Sequence, residues 1–108
     1  MNEERRQSRR IELDSPIEQI VDEAEHRCRA TNVSRTGLYM ERPVSALARR
    51  SNVVQVALTL PGTLHTLWAK AEVVYDCFDA ALHGTAVRFT EMAARDRLAL
   101  DRWLDARA

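Results

Sequence analysis

The sequence predicts an all-β domain, an antiparallel barrel or sandwich, that ends in one α-helix. Short segments of alternating apolar residues recur between Ile11 and Phe89 with turn residues between them. The clearest is residues 53–60, where Val54, Val56, Leu58 and Leu60 share one face. From residue 92 the pattern changes: Gly and Pro vanish, and Ala, Leu and Arg dominate, a helix-forming composition. At 108 residues and 45% hydrophobic content, the chain suits one domain around one core.

Residues 1–10 carry no apolar side chain besides Met1, so they are expected to form a mobile arm rather than a core face. Residues 11–108 are expected to be the folded domain. Ile11 and Leu13 begin the alternation, Pro16 is expected to break it, and residues 17–21 read as the first strand. Residues 22–25 are acidic and read as a turn; residues 26–31 follow as a strand with Cys28 and Ala30 on one side. A polar loop leads to a strand over residues 37–41, which Pro43 ends. Residues 44–52 read as a surface connection. After the strand at 53–60, Pro61 and Gly62 supply a turn. Residues 64–75 form a long strand, 76–80 turn the chain, and 82–89 complete a hairpin with Gly84 at a bulge or close approach. The helix is expected over about residues 92–106, with Thr90 placed to cap it. Its Leu100, Trp103 and Leu104 fall at i, i+3 and i+4, a stripe that suits closing one mouth of a barrel.

Sixteen basic residues balance sixteen acidic ones, which disfavours general polyanion binding. The distribution says more. Four of the first ten residues are Arg. No apolar run approaches a membrane span, and the charged N-terminus lacks a signal-peptide core, so a cytoplasmic domain without membrane insertion is expected. Cys28 and Cys77 lack metal or redox spacing and are expected to be reduced, half-buried small side chains; His26, His65 and His83 are scattered, and surface or strand-edge positions are expected for these histidines. No nucleophile with a base and no phosphate-cradling glycine loop is present, and a non-enzyme with no metal and no cofactor is expected. The six aromatic residues are too dispersed for a nucleic-acid stacking surface.

Two motifs remain, Arg5-Arg6-Gln7-Ser8-Arg9-Arg10 and Asn32-Val33-Ser34-Arg35-Thr36-Gly37. Guanidinium groups grip phosphate bidentately, stack on flat rings and read the O6/N7 edge of guanine. Short polar side chains and a glycine permit close backbone approach. A small ligand carrying phosphates and guanine bases fits that pairing.

In order and spacing these motifs resemble those of the PilZ family of bacterial cyclic di-GMP receptors, RxxxR followed by (D/N)xSxxG. Arg6 and Arg10 fill the first, with Arg5 in front; Asn32, Ser34 and Gly37 fill the second. An Arg5 and Arg9 reading would leave the alternation after Arg10 out of step. Gly84-Thr85-Ala86-Val87-Arg88-Phe89 and Ala71-Glu72-Val73-Val74-Tyr75 resemble the family's closing strands, and Thr36 departs from a position that is often small. The resemblance implies a six-stranded antiparallel β-barrel with a C-terminal α-helix, and cyclic di-GMP as ligand. It assigns Arg6 and Arg10 to phosphates and guanine faces, Asn32 and Ser34 to the guanine edge, and Gly37 to close approach. Arg35 is a further phosphate contact and Tyr75 a stacking residue. Arg5 implies a stacked ligand dimer, and ordering of the arm would signal to a downstream protein. A PilZ-like adaptor that does not bind nucleotide is the alternative.

Overall fold

The computed structural model describes residues 9–45 and 49–107. Six strands close into one antiparallel barrel: β1 (Ile11–Val21), β2 (Ala24–Val33), β3 (Gly37–Pro43), β4 (Val53–Thr59), β5 (Thr66–Asp79) and β6 (Leu82–Met92). Their order around the wall is β1-β2-β3-β6-β5-β4. Closure leaves no sheet edge along the paired rows and gives every strand one inward face. Ile17, Val33, Leu38, Val54, Val56, Leu58, Leu67 and Val87 fill the interior. Helix α1 (Ala94–Asp105) lies over one mouth, burying Leu100, Trp103 and Leu104 as its spacing requires. The Trp103 indole donates to the Pro61 carbonyl at 2.9 Å, so the β4–β5 turn and the helix fasten each other.

Local chemistry moves several expected boundaries. Pro16 does not break β1, which runs through it opposite Arg29 after a register shift between Glu12 and Ser15. Pro16 has no N–H to give, and the Ser15 hydroxyl donates to the Thr59 carbonyl of β4 instead. The β1–β2 turn is only Asp22 and Glu23, both at positive φ, as a two-residue hairpin with the favoured twist demands. The turn expected at 76–80 is strand to Asp79, and the chain reverses at Ala80, φ 54°. Thr90 caps nothing. It lies within β6 and donates to the Lys70 carbonyl, while the helix begins after Ala93 with no side-chain cap.

Gly84 is a close approach and not a bulge: a Cβ there would stand 1.7 Å from the Tyr39 hydroxyl. His83 is buried, not at the surface, and His65 bonds Asp96 at 2.7 Å, tying the β4–β5 connection to the first turn of α1. Burial pushes the Cys28 thiol up to about 11, so it behaves as a small core residue.

At the mouth away from the helix, Asp76 organises a polar plug. Arg49 donates to both its oxygens at 3.0 and 2.5 Å, with His83 at 2.8 Å and the Thr85 hydroxyl at 3.2 Å. The Arg49 bonds hold the Asp76 carboxyl well below the usual carboxylate range. A depressed folded-state value stabilises the fold fully above the unfolded value near 4, and that gain is lost as pH falls toward the folded value. Asp76→Asn is therefore expected to cost about 1–3 kcal/mol at neutral pH. In thermal melts the gap between wild type and variant should narrow between about pH 4 and pH 2. Parallel melting curves across that range would show that the plug carries no such linkage.

Candidate functional site

The strand register sets one row of side chains across the outer wall. Glu12 lies opposite Asn32, Asn32 opposite Tyr39, Tyr39 opposite Ala86, and Ala86 opposite Tyr75. The neighbouring inward row, Val33, Leu38, Val87 and Val73, is buried, so period-2 alternation turns the first row toward solvent. Arg10 emerges just before β1 beside this row, and its guanidinium donates to Asn32 Oδ1 at 2.8 Å. The two motifs, twenty-two residues apart, meet there. Arg5 and Arg6 lie outside the described residues, as does the part of the expected arm before Arg9.

Tyr75 is 56% exposed, and its ring centroid lies 6.3 Å from that of Tyr39 at a 41° tilt. Between them sits Ala86, small and only 4% exposed on the outer face of β6. The two rings make an aromatic shelf on the outer wall, with Ala86 between them and the end of the Tyr39 ring lying over Gly84. The sequence pointed to Tyr75 as a candidate, and Tyr39, which shares its row, was not named. The signal was available: Tyr39 stands two residues after Gly37 and shares the alternation that turns Asn32 outward.

The other loop residues have internal tasks. Ser34 is 1% exposed, and its hydroxyl accepts from the backbone N–H groups of Thr36 and Gly37 at 3.2 and 3.3 Å. The Ser34 N–H in turn donates to the Gly37 carbonyl at 2.8 Å. Ser34 therefore builds the turn that presents the loop. Gly37 meets the β6 backbone: a Cβ would stand 2.1 Å from the Val87 carbonyl oxygen. Arg35 points away from the shelf toward the helix, donating to Asp101 at 2.9 and 3.3 Å. On the same flank Arg88 pairs with Glu72, and Arg97 donates to the Arg35 carbonyl at 2.5 Å. Arg88, Arg97 and Asp101 carried no motif and were not named from sequence.

Among the described residues no group of three or more His, Cys, Asp or Glu side chains is placed to hold a metal ion. No described helix is long and apolar enough to cross a membrane. Closed six-stranded barrel, mouth-closing C-terminal helix and an outer-wall Arg–Asn pair together define the class. The chain belongs to the PilZ domain family, whose model matches residues 4–106. Among solved structures, the Bacillus subtilis inhibitor of motility, MotI/DgrA, superposes with a TM-score of 0.80 at 20% identity, covering 95% of this chain and 50% of that one. The Borreliella burgdorferi PlzA protein, in complex with c-di-GMP, superposes with a TM-score of 0.70 at 11% identity, covering 96% and 53%. The chain thus spans about half the length of each. Among curated proteins no sequence matches.

Proposed function

We propose that this PilZ domain is a cyclic di-GMP receptor, a binding module and not a catalyst. One observation carries the reading: the Arg10–Asn32 contact joins both motifs on the outer wall, next to an exposed tyrosine shelf. Guanidinium, amide and aromatic face are the three groups that a phosphate-linked guanine dinucleotide needs. The Arg10–Asn32 pair is exposed, so it costs little to open for a ligand. Membership of the PilZ family and the c-di-GMP complex of the structurally similar PlzA support the same ligand. Arg6 and Arg10 take the phosphates and stack on guanine, Asn32 reads a guanine edge, and Tyr75 with Tyr39 supplies a stacking face. Arg5 adds the charge for a second, stacked ligand. Binding orders the N-terminal arm against the wall and so changes the surface offered to a downstream protein.

Calorimetric titration of the purified chain with cyclic di-GMP is expected to give saturable heat with micromolar or tighter affinity, at a ratio of one or two ligands per chain. Amide spectra should change within the first dozen residues on saturation. Silence at tens of micromolar ligand would move the domain to the adaptor class that acts through protein contacts alone.

A further inference from the structure

Beside the shelf, past the Ser34–Gly37 turn, lies a second concavity of about 370 Å³. Arg35, Arg88 and Arg97 line it together with Phe89. These three guanidinium groups come from the loop, β6 and α1, elements brought together only by the closed barrel. Two carboxylates answer them. Asp101 takes both prongs of Arg35 and lies 3.9 Å from Arg97, while Glu72 pairs with Arg88. Three cations to two anions leaves the cleft one positive charge in excess.

Arg97 also stands in the first turn of α1, where the helix dipole disfavours a cation. Its Nη1 holds the Arg35 carbonyl, which aims the loop into the cleft.

We infer that Arg35, Arg88 and Arg97 form an anion seat for a phosphodiester group, and that the Asp101 carboxylate occupies this seat until the ligand displaces it. Asp101 mimics the phosphate: a planar pair of oxygens gripped bidentately by Arg35. Its pairs are partly exposed and easily exchanged. Asp101 engages Arg35 and Arg97 but leaves Arg88 to Glu72, so a phosphodiester entering the cleft is offered a third guanidinium that Asp101 does not use. The inference rests on the receptor reading above and deepens it, because it adds a second seat and an internal competitor to the Arg10–Asn32 region.

The test is a calorimetric titration of the whole chain with cyclic di-GMP, comparing wild type with Asp101→Asn, Arg97→Ala, Arg97→Lys and Arg88→Ala, each checked by thermal melting. Asp101→Asn removes the competitor and is expected to tighten binding about fivefold. Arg97→Ala and Arg88→Ala are each expected to weaken it roughly tenfold, with Arg97→Lys recovering part of the loss. Opposite signs are the decisive feature. If the Arg–Asp pair merely supported the fold, removing either partner would weaken binding in the same direction. Wild-type binding that ignores all four substitutions, or that weakens in Asp101→Asn, overturns the seat and leaves the receptor reading standing. Absence of wild-type binding overturns both.

Discussion

Replacing Arg10 with Ala is expected to weaken cyclic di-GMP binding by roughly a hundredfold, about 3 kcal/mol, while the melting temperature of the free protein stays within a degree or two. The two halves of that expectation come from one geometry. Among the described residues Arg10 makes one hydrogen bond, an exposed one to Asn32, whose loss strands no buried partner. In the proposed complex the same guanidinium would face phosphate and a guanine ring, using both prongs and the flat face. Arg6→Ala should behave alike in affinity. Asn32→Ala should lose less, because one amide hydrogen bond is at stake and not a charge-assisted pair. Calorimetry and thermal melting on the same preparations check the expectation. A variant that melts well below wild type would make Arg10 a structural residue, and its effect on binding would then carry no information about the ligand.

How much of this was legible in the sequence depended on whether the cue was local. Val54, Val56, Leu58 and Leu60 point inward as their period-2 spacing says, because the inward face of a closed barrel has no alternative solvent side. The α1 stripe buries as its i, i+3, i+4 spacing says. Errors came where a residue's partner lies far along the chain. Pro16 reads as a break only while the Ser15 hydroxyl, which serves β4 in place of the missing N–H, is unknown. His83 looks like a surface histidine until Asp76 and Thr85 are seen to satisfy it. The motif residues show the same division. Arg10 and Asn32 meet as their pattern implies, but Ser34 spends its hydroxyl on the turn, and Arg35 is claimed by Asp101 sixty-six residues away. A short motif states which residues travel together; which of them face solvent is decided by register.

Charge placement follows a similar logic. Three Arg side chains pair across strands: Arg27 with Glu18, Arg29 with Asp14 and Arg88 with Glu72. Such exposed pairs hold register weakly and screen easily. What differs around the Asn32–Gly37 loop is convergence, with Arg10 on one flank of it and Arg35, Arg88 and Arg97 on the other. A chain neutral overall can thus gather several guanidinium groups around one loop, which net charge alone could not disclose.

Gly37→Ala should be the most damaging single-methyl change on the site wall, costing about 3 kcal/mol or more and lowering the melting temperature by roughly 15 °C. The glycine is needed here for space, since the added carbon would stand 2.1 Å from the Val87 carbonyl oxygen and 3.1 Å from its carbon. Those atoms belong to the β6 backbone, which is held in register by β3 on one side and β5 on the other and cannot retreat without opening the barrel. Gly84→Ala is the control. Its new carbon would meet only the ring end of Tyr39, a side chain that can swing outward at a cost of about 1 kcal/mol. The two variants therefore separate fold from shelf. Gly37→Ala should unfold early and bind in proportion to whatever remains folded. Gly84→Ala should melt near wild type yet bind cyclic di-GMP less tightly, because Tyr39 has been pushed off its place beside Tyr75. Equal melting temperatures for the two would mean that β3 and β6 can part at Gly37 without consequence, and the rigid wall on which the site depends would not exist.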